Sequence, residues 1–225
     1  MMDDHHSDSH TEHKTTHSNS MPEIPKVDMK NVNADALKGG FGDVISILKL
    51  DKTVMAKVAG RDSEGISIAL VYLAVGAIAA PLGGLILGFY GFHTGIVYAL
   101  VTAVLAVVMA ALNLYVTSMV AEKMFKGTGK FPQYFRVMGY ASLVNVLGFL
   151  TIVPVLSTVA SLFVFLVVNY FALTIVHKLN QTNAILTMIV SVVVFFVLAA
   201  IIGMLVATIG LGGAIGAGAT VSLTS

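Results

Sequence analysis

The chain has 225 residues, 56% hydrophobic and 11% charged. A soluble domain carries about 25% charged residues, so the composition argues against a soluble globular fold and for a membrane protein. With no cysteine the chain has no disulfide, thiol nucleophile or cysteine-ligated metal; with no tryptophan, any interfacial aromatic belt must use Tyr and Phe.

Residues 1–40 are polar and low in complexity. Asp3, Asp4, Asp8, Glu12, Glu23 and Asp28 outnumber Lys14 and Lys26 in the first 28 residues, and His5, His6, His10, His13 and His17 lie among Ser, Thr and Asp. Such a segment buries too little apolar surface to offset its ordering entropy, so it reads as a disordered, His-rich cytosolic tail. The start is acidic and has no apolar core, which is unlike a signal peptide. Two readings stand for the histidines, a loose metal site or a solvated tail; the second is favoured, because irregular spacing gives no preformed ligand set.

Residues 41–61 place Phe41, Val44, Ile45 and Leu48 at helical spacing, with Met55 and Val58 extending the stripe. Lys49, Lys52, Lys57 and Arg61 fall between the apolar positions. This pattern predicts a juxtamembrane amphipathic helix. Two readings stand: a helix lying on an anionic membrane surface, or one packed on the membrane bundle.

From Gly65 to Ala121 no residue is charged. That is too long for one span of about 20 residues, and the Gly91-Phe92-His93-Thr94-Gly95 stretch divides it. Spans are expected at about 67–90 and 96–120. The loop 122–136 carries Lys123, Lys126, Lys130 and Arg136 against Glu122. These cations, with Lys49, Lys52 and Lys57, are the candidate membrane-surface contacts. Phe131, Tyr134 and Phe135 would sit at headgroup depth.

Val137 to Val176 is again free of charge, with Pro154 near its middle. Two spans at about 137–153 and 156–176 are expected, then a polar link from His177 to Asn183, then a fifth span at about 184–207. The last charged residue is Lys178. The expected architecture is therefore all-α: a five-helix integral membrane domain over 41–225 behind the tail. Lys and Arg excess places the N-terminus, the 122–136 loop and Lys178 in the cytoplasm. Five spans then put the C-terminus outside.

The spans offer little chemistry. They hold no Asp, Glu, Lys or Arg, which argues against proton relays, voltage sensing and aspartyl proteolysis. No H-E-x-x-H helix or P-loop occurs. Ser142 and His177 are the one Ser–His pair worth considering as a dyad. No catalytic, cofactor-binding or metal residue is assigned, and no nucleic-acid partner is expected. Asn113, Asn145 and Asn169 lie within spans, where they form either a polar site or interhelical hydrogen bonds. The second reading is favoured, at about 0.6–2 kcal/mol per contact. Gly84 and Gly88 form a GxxxG pair, as do Gly212 and Gly216. Such pairs mark close helix contacts, within one chain or between copies in a homo-oligomer.

The run Phe131-Pro132-Gln133-Tyr134-Phe135-Arg136-Val137-Met138-Gly139-Tyr140-Ala141-Ser142-Leu143 resembles the start of the third span in the Yip-domain family, the Ypt/Rab-GTPase-interacting membrane proteins and their prokaryotic relatives. The segment Ala172-Leu173-Thr174-Ile175-Val176-His177-Lys178-Leu179-Asn180 with Asn183-Ala184-Ile185-Leu186 resembles the family's fourth-to-fifth span junction. The Tyr-Gly-Pro motif of eukaryotic members is missing, so the likeness is to a prokaryotic member in a cell membrane. The resemblance implies a membrane protein of poorly defined role; because nearly all polar sequence falls on the cytosolic side, the expected function is a non-enzymatic scaffold of this kind, organising the membrane or recruiting protein partners through the tail and the 122–136 loop. The alternative is a small transporter or passive channel subunit.

Overall fold

A computed structural model describes residues 32–86, 92–149 and 154–208, together with Val27 and Met29. The first helix, α1 (Ala34–Leu48), starts where the Asn33 side chain accepts the Ala36 amide hydrogen at 2.8 Å, satisfying one orphan donor of the first turn. Helix therefore begins inside the segment expected to be disordered. The rest of that expectation, over 1–26, lies outside the described residues. Leu50 then takes a left-handed conformation (φ 63), and Asp51 caps a second helix, α2 (Lys52–Ala59), by accepting from the Thr53 and Val54 amides. The single amphipathic helix expected over 41–61 is thus two helices. Asp51 and Lys52, which interrupt the apolar stripe, mark the break.

The membrane part follows as α3 (Ser63–Ile86), α4 (Phe92–Lys123), α5 (Phe131–Ser142), a 3-10 segment (Leu143–Phe149), α6 (Pro154–Phe163), a π segment (Val164–Val168), α7 (Asn169–Val176) and α8 (Gln181–Thr208). No strand occurs among the described residues. Among the described residues four stretches, not the expected five, are helices long and apolar enough to cross a membrane: Ser63–Ile86, Ala99–Lys123, Thr158–Val176 and Gln181–Leu205.

The exception is the span expected at 137–153. There the α-helix stops at Ser142, whose Oγ donates back to the Met138 carbonyl at 2.7 Å. Such back-bonding loosens and bends helices, and the chain continues as the tighter 3-10 form to Phe149. Residues 150–153 lie outside the described residues.

Helix α3 is the centre of the bundle: 56% of its apolar window is buried, against 11% for α8, which faces outward. α5 and the 3-10 segment lie along α3 and run in the same direction. Gly139 faces Ala69, Gly76 faces Ser142, and Gly83 faces Phe149. These contacts are backbone against backbone. A Cβ built on Gly139 would lie 2.7 Å from the Ala69 carbonyl oxygen, and one on Gly76 would overlap the Ser142 carbonyl. Only glycine allows this approach.

Candidate functional site

Every Asp, Glu, Lys and Arg among the described residues falls in α1, α2, the ends of helices that meet beside them, or the short joins between these. The sequence alternates charge-free spans with charged joins, and the fold gathers those joins at one end of the bundle.

The α1–α2 pair closes this end. Val44 is 3% exposed, and Ile47, Met55 and Val58 are fully buried in the same core as Tyr140, Val168 and Leu173. Each such side chain contributes about 1.5–3 kcal/mol on burial. The apolar face of the pair is therefore spent on the bundle. This decides between the two sequence readings: that face does not lie in the bilayer surface. Phe41 and Ile45, on the outer side of α1, remain exposed.

Polar anchors fix the pair laterally. Arg61, just before α3, donates to Asp43 of α1 at 2.5 Å and to the Tyr140 hydroxyl of α5 at 2.7 Å. Burial works against the guanidinium charge. The hydrogen bond to Asp43 and the nearby Tyr140 more than offset it, so the Arg61 pKa rises above the ordinary arginine value. The Tyr72 hydroxyl donates to the Leu37 carbonyl, and its ring meets Tyr140 edge-on at 5.2 Å. A cleft of about 640 Å³ opens beside this cluster, lined by Asp43, Lys57, Arg61, Asp62 and Glu64 together with glycines of α1 and α3.

A second network lies deeper. The Tyr134 hydroxyl donates to Asn169 Oδ1 at 2.7 Å, and its ring packs 5.5 Å from that of His177. His177 Nε2 lies 3.2 Å from Ser118 Oγ, which donates to Glu122 at 3.2 Å. Burial, partly opposed by the Gly129 backbone, pushes the His177 pKa down to about 4, so the ring is neutral. The loop after α4 is tied to this place. The Thr128 amide donates to the His177 carbonyl at 3.0 Å, and Gly129 lies against Val176.

The Ser142–His177 pair, considered but not favoured as a dyad, does not form: Ser142 is bonded to Met138, and Ser118 takes the place beside His177. The Ser118 group is not arranged as a hydrolytic triad. Glu122 meets the serine and not the histidine, and Ser118 and His177 are fully buried. Among the described residues no group of three His, Asp or Glu could hold a metal ion.

Lys49, Lys52, Lys57, Lys123, Lys126 and Lys130 are all exposed at this end. Lys52 Nζ stands 5.4 Å from the centre of the Phe171 ring. Arg136 departs from expectation. It is 8% exposed and donates to the Ala59 carbonyl at 2.6 Å, so it pins α2 to α5 and offers no surface cation.

Asn145 accepts from Ser161 at 3.1 Å. Asn113 is half-buried on α4, where its carbonyl accepts from Thr117. Gly84 is buried in α3. Gly88, Gly212 and Gly216 lie outside the described residues, as does the His-rich tail. Sequence reasoning missed Asp43, Tyr72 and Tyr140 as polar partners, because their contacts join residues far apart in the chain. It also missed Gly76 and Gly83. The seven-residue spacing of Ala69, Gly76 and Gly83 was the available signal.

A family model described as the Yip1 domain matches residues 51–202, from the cap of α2 to near the end of α8. No curated protein and no solved structure matches. With most of the chain matched and four apolar helices of spanning length, this membrane protein belongs to the Yip1 domain family.

Proposed function

We propose that the protein is a non-enzymatic membrane scaffold whose charged end recruits a protein partner in the cytoplasm. The observation that carries this reading is the segregation of charge. The Asp, Glu, Lys and Arg side chains of the described residues collect at one end, where α1 and α2 form a fixed platform beside the 122–136 loop. The in-span asparagines 145 and 169 bond to neighbouring helices, which speaks for packing and against a polar pore.

The same segregation supports the orientation. Lys and Arg excess favours the cytoplasm for this end. α5 and the 3-10 segment follow α3 in the same direction, and together extend about 32 Å at the usual rises, enough to cross beside it. With that rod as a further crossing, the N-terminus is cytoplasmic and the C-terminus external, in a cell membrane if the chain is prokaryotic.

Reporter fusions after Asn33, Lys126, Lys178 and Ser225 test the topology. Cytoplasmic signals at the first three and an external one at Ser225 are expected; a cytoplasmic Ser225 overturns the extra crossing. Co-purification after cross-linking tests recruitment. Partners captured by the full chain should be lost on deleting residues 1–33 or on changing Lys123, Lys126 and Lys130 together to Ser. An unchanged set of partners in both variants refutes it.

A further inference from the structure

Away from the charged cleft, a groove of about 480 Å³ runs between α7 and α8. Phe165, Leu166 and Tyr170 form one wall; Ile185, Ile189 and Val193 form the other. These residues lie in the spans Thr158–Val176 and Gln181–Leu205, so the groove opens into hydrocarbon. The π segment helps to shape it. The Asn169 amide reaches the Val164 carbonyl five residues back, which widens the turn bearing Phe165 and Leu166. Single π turns of this kind recur at functional sites.

We propose that this groove holds an acyl chain of an anionic phospholipid whose phosphate is held by Lys52 and Lys178. Three observations commit the site to a lipid. First, none of the residues lining it is Gly, Ala or Ser. Contacts between membrane helices are enriched in such small residues, so this lining suits a flexible chain better than a second copy's helix. Second, cations stand at its charged end. The two walls join through the 177–180 turn, where Lys178 is exposed in a left-handed conformation (φ 57). Lys52 reaches over Phe171, whose ring touches that of Tyr170 at 5.4 Å. Third, Tyr170 lies about 11 Å, or two helical turns, from that turn. Lys52, over Phe171, stands at the inner end of that distance and Lys178 at its outer end, so the two cations bracket the length that the glycerol and phosphate of a lipid headgroup occupy. The inference goes beyond partner recruitment and does not depend on it.

The chain has no tryptophan, so one introduced residue is an unambiguous probe. Val193→Trp places it in the groove at a position already 60% exposed, and Ile189→Trp repeats the measurement if the first variant folds poorly. Phe196→Trp, on α8 outside the groove lining, is the control. Each protein is reconstituted in bilayers containing brominated phosphatidylglycerol or brominated phosphatidylcholine, and quenching is compared. The groove probe should prefer the anionic lipid by about fivefold or more, given the pull of each lysine at the surface. That preference should disappear when Lys52→Ala and Lys178→Ala are combined, while the control quenches equally in both lipids. Equal quenching of the groove probe by the two lipids overturns the proposal. So does a groove probe quenched by neither, which would mean that a second copy covers it.

Discussion

Arg61 and Asp43, eighteen residues apart and on opposite sides of α2, meet at 2.5 Å and so hold α1 against the start of α3. The pair is partly exposed, at 27% and 14%, so screening limits its strength. Arg61 also serves the Tyr140 hydroxyl, and its loss leaves two groups without a donor. Arg61→Ala should destabilise the protein by about 1–3 kcal/mol, read as a lower melting temperature in detergent. Asp43→Asn should cost less, since the amide oxygen still accepts a hydrogen bond. Protease cleavage should appear first near Gly60 in the Arg61 variant, because α1 and α2 would detach before the spans unfold. A melting temperature unchanged by Arg61→Ala would refute the anchoring role.

The α3–α5 contact makes a sharper demand. Gly139 and Gly76 each place backbone where a methyl group would collide with a facing carbonyl. Neither carbonyl belongs to a flexible side chain, so the helices must separate. Gly139→Ala and Gly76→Ala should each cost about 1–3 kcal/mol, the usual range for overpacking. Gly203 of α8 has nothing within 4 Å of its added methyl group, and Gly203→Ala should gain up to about 1 kcal/mol from helix propensity. Melting of the three variants side by side checks the contrast. Equal effects at all three positions would mean that the α3–α5 approach is looser than described.

These two contacts show what the sequence made legible. Charge-free runs, broken by charged joins and by Gly and Pro, led to five expected spans, of which four stand as long apolar helices among the described residues, and they marked the end at which charge collects. They could not reveal that the stretch after Ser142 tightens to 3-10, because Val144, Val146 and Leu147 are as apolar in that form as in an α-helix. The amphipathic stripe of 41–61 was visible, but the same stripe fits a membrane surface or a protein core. Only Ile47, Met55 and Val58 at zero exposure decide between them. Arg136 looked like a surface cation because charge in a loop normally is. Its partner, the Ala59 carbonyl, is 77 residues away and leaves no local trace.

Tyr134 and Asn169 give a direct measure of interhelical bonding, since both are almost fully buried and their bond joins α5 to α7. Tyr134→Phe removes the donor and leaves the amide oxygen of Asn169 without it. Asn169→Leu removes the acceptor and leaves the hydroxyl. Each change should cost about 1–2 kcal/mol. The double variant leaves neither group orphaned, so its cost should fall below the sum of the two. Strict additivity in such a cycle would show that the bond contributes no coupling.

His177 sets the pH dependence. Its ordinary pKa of 6.5 is pushed to about 4, chiefly by burial. In the unfolded chain the ring recovers its ordinary value, so between pH 6.5 and 4 the unfolded state binds a proton that the folded state refuses. The stability that His177 contributes is therefore complete above pH 6.5 and declines as the pH falls toward 4. At pH 5 the loss should be about 2 kcal/mol. Glu122 shares the network through Ser118, so Glu122→Gln serves as the control. Melting in detergent at pH 7.5 and pH 5 should show a clear drop for the unaltered protein and for Glu122→Gln. His177→Gln, less stable at pH 7.5, should show a much smaller drop, because no buried imidazole is left to protonate. Equal drops in the unaltered protein and His177→Gln would assign the pH dependence elsewhere.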